Sequence, residues 1–193
     1  MPNTSWIEGK TRRRSSPKLI DVCADHANCG TSPSFQRVMA KNGDSFVLFS
    51  SECLKVHSKS TKAQDRIICM TDRAIYNLLP KSFKCRRRMS LKSLTGVSLS
   101  KLADNFLALH FEDYGYLIVL ARKTEFVNCL LSIQPSLHSS FNIILSNSFV
   151  YRGGKRDLFR EVVFESITTD VGNGVSTLIF TVGSPKVEEP NDH

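Results

Sequence analysis

The 193-residue chain lacks long hydrophobic runs. Stretches such as LIVLA at 117–121 fall far short of the roughly 20 apolar residues that a bilayer-crossing helix needs. No apolar segment follows Met1, so no secretory signal is expected, and any membrane contact is expected to be peripheral. Tryptophan is nearly absent, with Trp6 the single example, and the basic stretch at 81–88 carries Phe83 as its lone aromatic, too few for a stacking platform. That disfavours nucleic acid, whose single strands need stacking platforms. No Gly-rich phosphate loop follows a strand, and RGGKRD at 152–157 does not have the spacing of one. The histidines at 26, 57, 110, 138 and 193 stand outside any Cys or Ser nucleophile motif, so no catalytic residue is assigned and no enzyme is expected. Cys23 and Cys29 flank His26, but a structural zinc site needs four ligands and no second pair lies at usable spacing. No metal or cofactor is therefore expected, and the six scattered cysteines read as reduced, mostly buried thiols.

What the chain does have is unevenly placed positive charge. Residues 1–101 carry 19 Lys and Arg against 7 Asp and Glu, whereas residues 102–193 carry 7 against 11. A basic front and an acidic back suggest an anionic partner without choosing among a phosphorylated headgroup, a membrane leaflet, nucleic acid and an acidic protein.

Residues 1–45 are rich in Pro, Gly, Ser, Thr and Asn with little periodicity, and are expected to form a poorly ordered basic extension. Within them, KTRRRSS at 10–16 reads first as a solvated tail. The alternative is an electrostatic tether that phosphorylation of Ser15 or Ser16 would weaken. A folded domain is expected over 46–183 and a disordered tail over 184–193. From Phe46 the pattern is strand after strand at eight- to twelve-residue spacing: FVLFS with CLKVH, RIICM, AIYNLL, CRRRMSL, LTGVSLS, FLALHF and YLIVLA. Gly96 is a candidate bulge. This rhythm predicts a mainly β sandwich or antiparallel barrel of about seven strands. In KTEFVNCLLSIQPSL the apolar residues switch to helical spacing until Pro135, giving one helix suited to plugging an open barrel. FNIILSNSFVY, REVVFESIT and STLIFTVG add further C-terminal strands.

The segments VLFSSECLKVHSKSTKAQDRIICMTDRAIYNL, RRRMSLKSLTGVSLSKLADNFLALHF and RKTEF resemble the tail homology 1 domain of class I myosins over roughly 46–183, most specifically over 47–131. The resemblance implies a pleckstrin-homology-like barrel closed by a helix. It also implies a cytoplasmic module, peripheral at the plasma membrane or cortical actin cytoskeleton, that binds anionic phospholipids, especially phosphoinositides. A cytoskeletal or myosin-associated protein is an implied further partner. No motor, P-loop or calmodulin-binding pattern accompanies these segments, so the chain reads as a motor-less tail piece or a stand-alone relative.

An up-and-down path brings the loops at 58–65 and 80–84 to one rim. Lys55, Lys59, Lys62 and Arg66 lie at the first, and Lys81, Lys84, Arg86, Arg87 and Arg88 at the second. These nine cations are the candidate lipid-binding residues: arginine suits bidentate phosphate contacts and lysine adds mobile charge. Lys55 and Arg66 match the ends of the pleckstrin-type phosphoinositide signature, while Gln64 stands at its middle basic position. Strand alternation predicts Cys85, Arg87 and Met89 on the inward face, with Arg87 reaching out through the mouth, and Arg86 and Arg88 outward. RGGK at 152–155, with Arg156, is an auxiliary anion-contact candidate. Phe83 could insert into lipid or pack back on the barrel. The competing reading of the whole chain is a protein-interaction module using edge strands or the helix groove.

Overall fold

The computed structural model describes residues 24–57, 62–102, 104–153, 159–168 and 176–185. The fold is mainly β. Eleven strands are described: β1 (Val47–Val56), β2 (Ala63–Thr71), β3 (Ala74–Leu78), β4 (Cys85–Ser90), β5 (Leu94–Leu99), β6 (Phe106–Phe111), β7 (Gly115–Val119), β8 (Asn142–Leu145), β9 (Ser148–Arg152), β10 (Phe159–Thr168) and β11 (Ser176–Gly183). Among the described residues two α-helices accompany them, α1 (Pro33–Asn42) and α2 (Lys123–Ser132). The first eight strands form one sheet in the order β4-β3-β2-β1-β7-β6-β5-β8, antiparallel except for β8, which joins β5 in parallel. The last three form a second sheet, β11-β10-β9. Among the described residues no helix is long and apolar enough to cross a membrane.

The eight-stranded sheet wraps around one core. Phe49, Ile68, Met70, Ile75, Met89, Leu94, Leu107, Leu109 and Ile118 point into it. Phe126, Val127 and Leu130 of α2 enter the same cluster, so this helix plugs the core as its apolar stripe predicts. Glu125 in its first turn pairs with Arg122 and with His26, both at 2.8 Å. At Gly96 the β5–β6 register shifts, and a side chain there would meet the Asn142 side-chain oxygen at 2.5 Å, so glycine permits the close approach of β8.

Two outer faces are covered. The β9–β11 sheet packs Phe149, Tyr151, Val162 and Phe164 onto Val56, Phe106, Ala108 and Leu117. On the other side Phe35 and Met39 of α1, with Cys29, cover Ile67, Cys69, Tyr76 and Leu78. Residues 24–45 were expected to be poorly ordered, and the structure corrects this. His26 N donates to Ser50 O and Ser50 N to Ala24 O, each at 3.1 Å, so residues 24–26 run along β1. Asp25 accepts from the backbone N–H groups of Cys29 (2.8 Å) and Gly30 (2.7 Å) and from the Ser50 hydroxyl. Helix α1 starts with Pro33 in its first turn and ends at Gly43, whose φ of 73° is the left-handed conformation that glycine adopts freely. Cys29, Cys53, Cys69 and Cys85 are free thiols, whereas Cys129 is disulfide-bonded, contrary to the fully reduced reading.

His110 on β6 lies 2.7 Å from the Ser98 hydroxyl, and burial pulls its pKa from 6.5 down to about 4. In the unfolded chain it protonates near its ordinary value, so between those pH values the unfolded state binds the extra proton. Stability from this group is complete above about pH 6.5 and is lost toward pH 4, by about 3 kcal/mol in all. Urea unfolding at pH 7 and pH 4.5 should show the loss, and His110→Gln should flatten it.

Candidate anion-binding mouth

On β1, β2 and β4 the inward-facing row is apolar and ends in a cation at the same end of the sheet. Cys53 is followed two residues on by Lys55, Ile68 is preceded by Arg66, and Met89 is preceded by Arg87. Cys53 pairs with Arg66 and Lys55 with Gln64, so the first two cations sit on adjacent strands. Beside β1, its neighbour β7 and the turn preceding β7 supply aromatic rings. Lys55 Nζ lies 5.0 Å from the Tyr116 ring centroid, and the Arg87 guanidinium lies 3.7 Å from that of Tyr114. Arg86, exposed, is the extra residue of a bulge between β3 and β4.

Electrostatics record this convergence. Burial holds the Lys55 ammonium below its usual range, and Arg66, Arg87 and Arg86 push in the same direction. Burial raises the phenols of Tyr114 and Tyr116, with Arg87 and Arg66 respectively pulling the other way, so both are neutral hydroxyl donors at pH 7. Arg66 Nε and Asn77 Oδ1 are buried without a hydrogen-bond partner in the protein, while the Tyr114 and Tyr116 hydroxyls, also buried, have Arg87 and Asn77 as their nearest polar neighbours but no well-formed hydrogen bond. Buried polar atoms normally find partners, and at this mouth Arg66 Nε and Asn77 Oδ1 lack one. Gln64, which departs from the basic signature, accepts at 2.7 Å from Arg66 Nη2, while Nη1 donates at 2.6 Å to the Asp65 carbonyl. It thereby orients the arginine instead of adding charge.

The remaining candidates divide. Lys62, Lys81 and Lys84 are exposed in the two loops, which the strand directions place at the same end as Lys55 and Arg66. Lys59 lies outside the described residues, as do KTRRRSS, Ser15, Ser16, Lys155 and Arg156. Arg88 faces away from the mouth and is engaged within the fold. Its Nη2 donates at 2.9 Å to Asp44, whose side chain is 0% exposed, and its Nε donates at 2.9 Å to the Tyr76 hydroxyl, which itself bonds Asp44. The outward face on which Arg88 was expected to extend the anion-binding rim is roofed by α1, so Arg88 serves the roof. Cys85 also departs from expectation: the bulge at Arg86 moves it off the inward face to pack with the α1 cluster. Phe83 packs there too, rather than projecting from its loop. Asn77, Tyr114 and Tyr116 were missed. Their signal was alternation, since Tyr114 and Tyr116 share a face with Ile118, which pairs with Lys55, and so line the wall beside β1.

Residues 21–186 match a family described as the unconventional myosin tail, actin- and lipid-binding. The chain belongs to this myosin tail homology 1 family. Tail homology 1 relatives include unconventional myosin-Ig of Mus musculus, 34% identical over 86 residues that make up 44% of this chain and 8% of the relative. Unconventional myosin-Id of Danio rerio is 38% identical over 95 residues, 47% of this chain and 9% of the relative. Myosin ID heavy chain of Dictyostelium discoideum is 27% identical over 141 residues, 66% of this chain and 12% of the relative. The chain thus spans about a tenth of the length of these curated relatives, all in the class I myosin group. The family is one of tails, not of catalytic domains. Among solved structures, the hSac2 domain of human phosphoinositide phosphatase Sac2 aligns with 64% of this chain and 91% of its own at 13% identity, with a TM-score of 0.44.

Proposed function

We propose that this tail domain is a peripheral membrane module that takes the phosphorylated headgroup of an anionic phospholipid, with phosphoinositides preferred, into the mouth formed by Lys55, Arg66, Arg86 and Arg87. Lys62, Lys81 and Lys84 add rim charge toward the leaflet. The observation that carries this reading is the meeting of three inward rows in cations beside Tyr114 and Tyr116, where Arg66 Nε is buried without a partner in the protein. A phosphate can accept from two guanidinium groups, an ammonium and phenolic hydroxyls together, which a diffuse basic face cannot offer. The family's description as actin- and lipid-binding supports the same assignment and a location at the membrane–cytoskeleton boundary.

Sedimentation with vesicles tests it. Binding should rise with phosphoinositide content and fall between low and physiological salt. Lys55→Gln should weaken it by about 1 kcal/mol, roughly fivefold. Salt-independent binding that Lys55→Gln leaves untouched would remove the assignment. The protein-interaction reading is favoured by one feature: edge strand β8 exposes Ile144 and Leu145, the latter 60% accessible. A partner held there would be retained at high salt and lost in Leu145→Asp.

A further inference from the structure

Lys55 differs from the other lysines of the mouth in its surroundings. It sits on a strand, partly covered, with Nζ over Tyr116, and the charges that act on it from other elements are cationic: Arg66 from β2, and Arg86 and Arg87 from β4. Among the described residues no carboxylate lies within ion-pair distance of it, whereas Lys123 has Asp104 at 3.0 Å. Lys62, Lys81 and Lys84 are exposed. Burial and three guanidinium groups both favour the neutral amine, which is the nucleophilic form. The same guanidinium groups attract an anionic reagent, so activation and recruitment coincide at one atom.

We propose that Lys55 is a covalent modification site, the lysine of this mouth most readily acylated by small anionic acyl donors such as acyl phosphates. The Nζ lone pair attacks the acyl carbonyl carbon and a C–N bond forms. The C–O bond to phosphate breaks, phosphate leaves with the electron pair, and the displaced amine proton passes to solvent. The product amide is neutral and bulkier, so it removes one cation from the mouth and crowds Tyr116. The inference uses the cationic geometry described above and does not depend on lipid being the natural ligand.

The full chain incubated with acetyl phosphate, with initial acetylation rates read at each lysine by mass spectrometry, decides the matter. Lys55 should react at least about threefold faster than Lys62, Lys81 or Lys84, because each unit by which an amine's pKa falls raises its neutral fraction about tenfold, partly offset by lower intrinsic nucleophilicity. Arg87→Gln should slow Lys55 several-fold and leave Lys92 and Lys123 unchanged. Acetylation of Lys55 no faster than the exposed lysines, or a Lys55 rate indifferent to Arg87→Gln in a folded chain, overturns the proposal. Phosphoinositide vesicles should protect Lys55. Fast acylation without such protection would count against the lipid assignment and leave the modification site standing.

Discussion

Replacing Arg88 with alanine should lower the unfolding free energy by about 3 kcal/mol, because it strands a buried carboxylate. The Asp44 side chain has no exposure, and Arg88 supplies the opposite charge it faces, at 2.9 Å. Tyr76, 0% exposed and linked to both, would lose its second partner. Chemical denaturation should show the drop. Removing both charges, with Asp44→Leu and Arg88→Met together, should recover much of it, since apolar replacement of a whole buried pair is often close to neutral. Arg88→Ala at unchanged stability would mean that the Asp44 carboxylate is satisfied without it and that α1 is held by its apolar face alone.

One residue earlier the expected phenotype is reversed. Arg87→Glu should cost the fold no more than about 1 kcal/mol, the scale of an exposed cation–π contact such as the one with Tyr114. Its effect on membranes should be larger. The substitution removes one favourable charge and adds one unfavourable charge, about 2 kcal/mol in all, or roughly thirtyfold in vesicle partitioning at low salt. The loss should shrink as salt rises. Vesicle titrations beside melting curves would separate the two arginines. A variant that unfolds without losing affinity while folded would place Arg87 in the core's service rather than the ligand's.

The strands of the domain were legible as short apolar runs at eight- to twelve-residue spacing, several of them buried on both faces, and the helix by its 3.6-residue period from Phe126 to Leu130. Lys55 and Arg66 were legible because β1 and β2 form an antiparallel hairpin, which fixes which residues end opposite one another. Arg87 was legible by alternation with Met89. Helix α1 was missed because its ten residues include only Phe35, Val38, Met39 and Ala40 as apolar members, among polar neighbours. Its spacing of i, i+3 and i+4, with Ser32 and Pro33 before it and Gly43 after it, was nonetheless a complete helix signal. Arg88 was misjudged as a consequence. A strand's outward face reads as solvated unless the element roofing it is known, and Asp44 lies 44 residues away in sequence. Cys85 was misplaced because a bulge is a property of the pair of strands, and nothing in CRRRMS alone marks where the extra residue falls.

The division of labour along β4 bears on how such a tail could diverge. On the proposed reading positions 86 and 87 answer to an anion outside the molecule, whereas position 88 answers to the helix that roofs it. Libraries randomised at the first two should therefore span a wide range of affinities at nearly constant melting temperature, while position 88 tolerates change only together with position 44. Charge at the mouth can drift and be selected afresh without reopening the question of whether the chain folds.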